Sequence, residues 1–405
     1  MESEFHKDKL APSSPRLDAG VVTLGWVSFL SDVASDMIYP LLPDFLTRTL
    51  GAGPAALGLI EGVAESTASF TKVASGWLSD RMRHRKRFVV LGYLIAAVAR
   101  PLVGLAQTWG QVLAIRFADR LGKGVRTPPR DALLAAMTPA GIRGRAFGLQ
   151  RAMDNAGAVA GPIVAALLLR FVTGEERTVF LFAFVPGLAA VALVLWKVPD
   201  RTAPAERPVA PAEKTSRERL PRSFWTAVAI FAGFALANST DAFLLLRARD
   251  AGIPLWEMPL LWAFFQGVKA AAGVPGGALS DRIGRLPTLV IGWTIYVLSY
   301  VGLAYAAAPA AVWPIFAFYG LFFALTEGAE RALVADLVPE RLRGRAFGAF
   351  HAAVGVAALP ASLLFGVLWK AAGARAAFLA GAALALVATV ALLAARNRIR
   401  PGAVS

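Results

Sequence analysis

The chain has 405 residues, of which 57% are hydrophobic and only 17% charged, with a mean hydropathy of +0.56 and a formal net charge of +15. Soluble domains average about 25% charged residues, so the composition excludes an ordinary globular enzyme or a disordered tail and predicts a polytopic, all-α membrane protein. Cysteine is absent and the three histidines (His6, His84, His351) are not spaced as ligands, so disulfides, thiol chemistry, a metal and a cofactor are not expected.

Twelve apolar spans are predicted, at 20–46, 55–79, 88–107, 109–137, 143–171, 177–197, 222–249, 255–280, 287–307, 311–337, 343–370 and 374–395. Crossing a hydrocarbon core takes about 17–25 residues. The polar segment 1–19 has no short apolar core before a cleavage site, so it reads as a tail and not a cleaved signal. With that tail in the cytoplasm, 25 Lys/Arg fall on cytoplasmic segments and their flanks against seven on the opposite side. That bias predicts both ends inside and gives the positive charge a reading that needs no nucleic acid. The expectation is a monomeric, multi-pass protein of the cell membrane, a bacterial inner membrane, whose partners are lipid, a small solute and protons.

Span one contains "SFLSDVASDMIYPLLP" (28–43), with Asp32, Asp36 and Tyr39 at i, i+4 and i+7 on one face. Span two contains "EGVAESTASFTKVASG" (61–76), which brings Glu61, Glu65 and Lys72 within about 40° of one another on a helical wheel. Carboxylates removed from bulk water have proton affinities that respond to nearby charge. Asp32, Asp36, Glu61 and Glu65 are therefore candidate proton-coupling groups, the alternative being that each neutralises an intramembrane base.

Span four carries "RFADRLGKGVRTPPRD" (116–131). At 100° per residue its seven charges, Arg116, Asp119, Arg120, Lys123, Arg126, Arg130 and Asp131, occupy an arc of about 140°. Turning five cations toward lipid would cost on the order of 12–17 kcal/mol, so this arc is expected to face a wetted cavity or partner carboxylates. Arg116, Arg120, Lys123 and Arg126 are the deeper candidates for attracting an anionic group. Arg130 and Asp131, nearer the cytoplasmic end, suit a structural pair.

Span five places Asp154 and Asn155 just before Gly157, Gly161 and Pro162. The small residues allow close helix approach and a bend, and the two polar groups are expected on the cavity. Residues 198–221, rich in Pro and charge, read as a cytoplasmic linker. The units are then a tail (1–19), a first bundle (20–197), the linker, a second bundle (222–395) and a tail (396–405). The second bundle is poorer in charge; its polar candidates are Asp241, Gln266, Lys269 and Glu327 for substrate and Glu330 for a latch.

The halves echo each other. "GWLSDR" (76–81) returns as "GALSDR" (277–282) at an offset of 201, "RGRAFG" (143–148) returns unchanged at 343–348, and "DALLAAMTP" (131–139) is answered by "RALVADLVP" (331–339) at 200. Duplication predicts twelve transmembrane helices in two pseudo-symmetric six-helix bundles around a central cavity, with the solute site between them.

These motifs resemble the major facilitator superfamily over essentially the whole chain. The family's loop motif between spans two and three is matched by "GWLSDRMRHR" (76–85) and again by "GALSDRIGRL" (277–286), with departures at Arg83, His84 and Leu286. "GAVAGPIVAA" (157–166) is similar to the antiporter signature of span five, ending in Ala165–Ala166 in place of two glycines. The resemblance implies an arginine-loop latch, here Asp131 with Arg81 or Arg87, and charge clusters at the cytoplasmic mouth built on Asp80, Arg81, Asp281, Arg282 and Arg285. It also implies that Gly157, Gly161 and Pro162 seal the closed cavity, and the repeat makes Glu330 a second latch residue. The function implied is secondary transport of a small organic solute, by proton-coupled efflux or, alternatively, by import of an organic anion. A non-transport membrane protein is the third reading, against which no phosphate-cradling glycine loop or nucleophile motif is present.

Overall fold

The computed structural model describes residues 17–81, 85–199 and 219–399, and these contain helices and turns but no strand. Their longer α-helices are α1 (Ala19–Asp36), α2 (Pro54–Arg81), α3 (Arg85–Leu102), α4 (Trp109–Ala136), α5 (Arg143–Phe171), α6 (Phe184–Lys197), α7 (Arg222–Ala237), α8 (Ala242–Asp250), α9 (Met258–Ile283), α10 (Arg285–Tyr305), α11 (Pro309–Asp336) and α12 (Arg343–Ala394), with two shorter ones at Leu42–Asp44 and Glu176–Phe182. Short helical turns link several of them. Eight helical segments among the described residues are long and apolar enough to cross a membrane. Large apolar side chains such as Val185, Trp196 and Val387 stand exposed on the outside, as a chain dissolved in lipid requires. The predicted linker (200–218) and the outer parts of both tails lie outside the described residues.

Local chemistry explains where the helices start and bend. Asp18 caps α1 by accepting from the Gly20 N–H at 2.7 Å, and Thr108 with Gln111 forms a capping box at the start of α4. Pro128 lies inside α4 and cannot donate to the Gly124 carbonyl four residues back. Ser75 Oγ of α2 takes that carbonyl instead, at 2.7 Å. At Gly373 the backbone of α12 has φ 85°, so two rods meet there at a kink.

Two interruptions matter for the site. α1 stops at Asp36 and continues through a 3-10 turn at Tyr39–Leu41. Its counterpart α7 stops at Ala237, and α8 begins only at Ala242. Both breaks free backbone polar groups at mid-chain, which is tolerated in a membrane only where a cavity or protein surrounds them.

Helices α1–α6 pack on one another, as do α7–α12, and the two sets meet along α2 against the first rod of α12 and along α5 against α9. The α2–α12 seam is very close. A Cβ at Gly58 would collide with the Ser362 carbonyl, and one at Gly62 would lie 2.8 Å from Leu359 Cδ1. The Gly58–x–x–x–Gly62 spacing therefore lets two backbones touch, as small-residue pairs do between membrane helices.

Candidate functional site

A cavity of about 610 Å³ lies between the two sets of helices, within the ordinary range for small-molecule sites. Its first-half wall comes from α1, α2, α4 and α5, and carries Asp32, Asp36, Glu65, Lys72, Arg120, Lys123, Arg126, Arg130, Asp154 and Asn155. The charged arc of α4 thus faces this space from Arg120 onward. Arg120 is 5% exposed, with Nη2 3.6 Å from Glu65. Arg126 donates from Nη2 to Ser31 Oγ at 3.1 Å, and its guanidinium lies 4.4 Å from the Tyr93 ring centre. Arg130 donates to Ser28 Oγ at 2.9 Å and to Asp131 at 2.9 Å, and lies 3.9 Å from Asp154.

The outer turn of the arc is placed differently from expectation. Arg116 does not line the cavity; it forms a bidentate pair with Glu61 at 2.7 and 2.9 Å, both groups under 6% exposed. Glu61 is therefore a structural counter-ion here, not a free proton carrier. Asp119 accepts from Arg100 Nε at 2.9 Å, while Arg100 Nη1 also donates to the Ser31 carbonyl at 2.7 Å. Helices α2 and α3 enclose this part of α4, and buried charges must pair. A helical wheel gives direction but not depth, so it does not separate the enclosed turn from the wetted one. Arg100, a lone cation in an apolar span beside a span that carries Asp119, was the available signal for this pair.

The second-half wall is less charged and more aromatic. It comprises the α7–α8 break (Asn238–Asp241) with Trp262, Gln266 and Lys269 of α9, Phe323 of α11 and Ser362 of α12. Asp241 accepts from the Tyr319 hydroxyl at 2.6 Å. Trp262 Nε1 donates to Asp36 at 2.9 Å across the two halves, and its ring packs on Tyr39 with centroids 5.0 Å apart. Tyr39 Oη meets Thr240 Oγ1 at 3.4 Å. The expected residues Tyr39, Asp241, Gln266 and Lys269 share this cavity. Trp262, Tyr319, Phe323 and Ser362 were not foreseen, because an aromatic or serine facing a cavity looks like one packed in an apolar helix.

The ends of the cavity differ. At one end, Asp44 (5% exposed) accepts from Arg249 Nε at 2.9 Å and lies 3.1 Å from Arg48, and Arg48 Nη2 reaches Asp250 at 3.3 Å. Two of these contacts cross between the halves and tie them together there. None of the four residues was singled out from the sequence, where they read as solvated charges at span ends. At the other end Arg151 of α5, 53% exposed, bridges to Glu327 of α11 at 2.9 Å. Glu327 also holds Lys269 at 3.6 Å and Arg331 at 3.0 Å. It was expected as a substrate contact; it lies outside the lining and links the halves at the mouth.

The expected latch residues divide. Asp131 pairs with its neighbour Arg130 and not with Arg87, which is exposed at the start of α3. The side chains of Asp80 and Arg81 lie outside the described residues. Asp281 and Arg285 do pair, and Arg285 also reaches Asp336 at 3.5 Å, tying α9, α10 and α11 together. Arg282 is exposed, and Glu330 is half-buried on α11 with no cation within ion-pair distance among the described residues. Gly157 and Gly161 pack against α1, where added Cβ atoms would stand 2.5 Å from the carbonyls of Phe29 and Val33, and Pro162 is buried beside them. They join two helices of one half and do not touch the other.

Comparison with known proteins agrees with this architecture. The family model of the Major Facilitator Superfamily matches residues 24–329 and 268–404. An uncharacterised MFS-type transporter of Methanocaldococcus jannaschii is 35% identical over 397 residues, 96% of this chain and 98% of that one. Multidrug resistance protein MdtG of Serratia proteamaculans is 31% identical over 71% of this chain and 72% of its own length. The cis,cis-muconate transport protein of Acinetobacter baylyi is 24% identical over 80% of each. A crystal structure of a bacterial homologue of the human lysosomal transporter Spinster superposes with a TM-score of 0.75 at 15% identity, covering 93% of this chain and 96% of that one, and so shares the fold. With its repeated loop motif, its helix-lined cavity and these matches end to end, the chain is a multi-pass membrane protein that belongs to the major facilitator superfamily.

Proposed function

We propose that this protein is a secondary transporter that moves a small organic solute by alternating access, exchanging it for protons in the direction of efflux. In this reading the chain crosses the membrane twelve times, in two six-helix bundles related by a pseudo-twofold axis, with both ends in the cytoplasm of a bacterial cell. The observation that carries it is the cavity between the halves, closed at one end by the Asp44–Arg249 and Arg48–Asp250 pairs and walled by charged side chains. Rocking the halves would break those contacts and form others at the opposite mouth. Asp32 and Asp36 on α1 and Glu65 on α2 face the same space as the cations of α4, so solute and proton would compete for one electrostatic environment. The efflux direction draws on the span-five signature and on the likeness to MdtG.

The test is flux in proteoliposomes with an imposed pH gradient. Asp36→Asn with Glu65→Gln is expected to retain solute exchange at equilibrium and to lose uphill, pH-driven movement. Undiminished accumulation against a gradient in that variant would remove these carboxylates from the coupling role. A second reading, import of an organic anion together with protons, is favoured by the excess of cations on the cavity wall and by the likeness to the muconate transport protein. It predicts the opposite sign of solute movement under the same gradient.

A further inference from the structure

We propose that the cavity selects a small organic dianion, held with its negative charge against Lys72 and Lys123. The inference rests on reading the cavity as the solute site, and it adds the charge of the solute to that reading. Seven basic and five acidic side chains line the space, and two further carboxylates, Asp131 and Glu327, pair with lining cations from outside it, so what matters is which cations keep no carboxylate of their own.

Pairing answers that. Arg120 lies against Glu65, Arg130 against Asp131 and Asp154, and Arg151 and Lys269 both against Glu327. Arg126 has no ion-pair partner either, but it is engaged by Ser31 Oγ and the face of Tyr93. Lys72 and Lys123 remain, half-buried and with no carboxylate within ion-pair distance among the described residues.

Both lysines open onto the same cavity where α2 and α4 touch. A Cβ on Gly124 would lie 3.2 Å from the Lys72 backbone nitrogen, and Ser75 Oγ bonds the Gly124 carbonyl. Two ammonium groups in one partly dehydrated space repel each other, and salt screens them far less than it screens surface charge. A single group or small molecule with two negative charges relieves both. Of the lining acids left, Asp36 and Asp241 are engaged by neutral donors, Trp262 and Tyr319, and Asp32 lies on the lysines' own wall with no cation within ion-pair distance among the described residues. Facing the lysines, Tyr39, Trp262 and Phe323 offer ring surface for an organic body. Two adjacent carboxylates and one phosphate monoester satisfy the same chemistry.

Binding to the purified full-length protein tests the idea, with phthalate, phenyl phosphate, benzoate and benzyl alcohol titrated calorimetrically. At about pH 8, above a phosphate's second pKa of about 6, the first two are dianions. At least one is expected to bind tenfold or more tightly than benzoate, and the comparison of the two separates a dicarboxylate site from a phosphate site. Lys72→Gln and Lys123→Gln are each expected to lose that preference while keeping the wild-type melting temperature. Lys123→Arg, which keeps the charge, is expected to retain it. Equal affinity for benzyl alcohol and the dianions, or an unchanged preference in both glutamine variants, would overturn the proposal. pH-driven flux of cationic or neutral solutes without any dianion binding would overturn it too while leaving the transport reading intact. Dianion binding without flux of any solute would uphold the site and defeat the transport reading.

Discussion

Replacing Asp44 by Asn and Asp250 by Asn weakens the closed end of the cavity without removing bulk. Only contacts that cross between the halves change when that end opens, so the Arg48–Asp44 pair, made within one segment, drops out of the comparison. The Arg249–Asp44 bond at 2.9 Å is the main loss: Asp44 is 5% and Arg249 22% exposed. A charge-assisted bond is worth about 1.5–3 kcal/mol and a neutral one about 0.5–1.5, so the asparagine costs about 1–1.5 kcal/mol. The Arg48–Asp250 contact is 49% and 38% exposed, and solvent screening holds it to about 0–1 kcal/mol. Together the two substitutions remove about 1–2.5 kcal/mol from the closed state, which shifts the closed-to-open ratio by about 5- to 60-fold. The chain has no cysteine, so spin labels at Thr49→Cys and Glu257→Cys report this end without background. Electron–electron distance measurements are expected to show a longer-distance population growing in the double variant. Identical distance distributions in the two proteins would refute the assignment of these pairs as a closure.

Other expectations follow from the packing. Glu61→Gln removes the bidentate partner of Arg116, 5% exposed, and leaves it only Asp119 Oδ2 at 3.7 Å; breaking a buried pair outright costs about 3–5 kcal/mol, so a loss up to that size is expected in thermal stability, and Glu61→Leu with Arg116→Leu is expected to recover much of it. Full recovery of flux in that double variant would confirm that the pair supports the wall and does not bind solute. Gly58→Leu puts a side chain into the Ser362 carbonyl at the α2–α12 seam, so labels at Thr49→Cys and Glu257→Cys are expected to read an opened end even with Asp44 intact. Trp262→Phe removes the indole donor to Asp36 and is expected to change the pH dependence of flux more than the affinity for solute; an unchanged pH profile would count against any coupling between the two residues.

How much of this was legible in the residues alone can be followed along α4. Its charge arc pointed to a polar surface inside the membrane, because no lipid-facing helix carries five cations. From Arg120 to Arg130 that surface is the cavity wall. The same arc made Arg116 a candidate for that wall, with a partner carboxylate as the alternative, and it takes the alternative on Glu61, because the wheel treats every turn as equally wet. The closing pairs at Asp44, Arg48, Arg249 and Asp250 carried no signal, since charges at span ends are ordinary. Their partners are also about 200 residues distant. The offset itself, near that of the internal repeat, is the trace that was available: Tyr39–Thr240 and Arg48–Asp250 lie 201 and 202 residues apart, so matching points of the two halves meet.

The sequence by itself determined the class of solvent, the helical class and the repeat. Each of these is a sum over many residues: hydropathy over whole spans, charge bias over all loops, and motif recurrence at one offset. Tertiary structure alone decided which charges are neutralised, where the two halves are tied together by ion pairs and which two lysines line the cavity without one. Those outcomes depend on distances of a few ångströms between helices far apart in the chain, and Coulomb and hydrogen-bond energies change sharply over such distances.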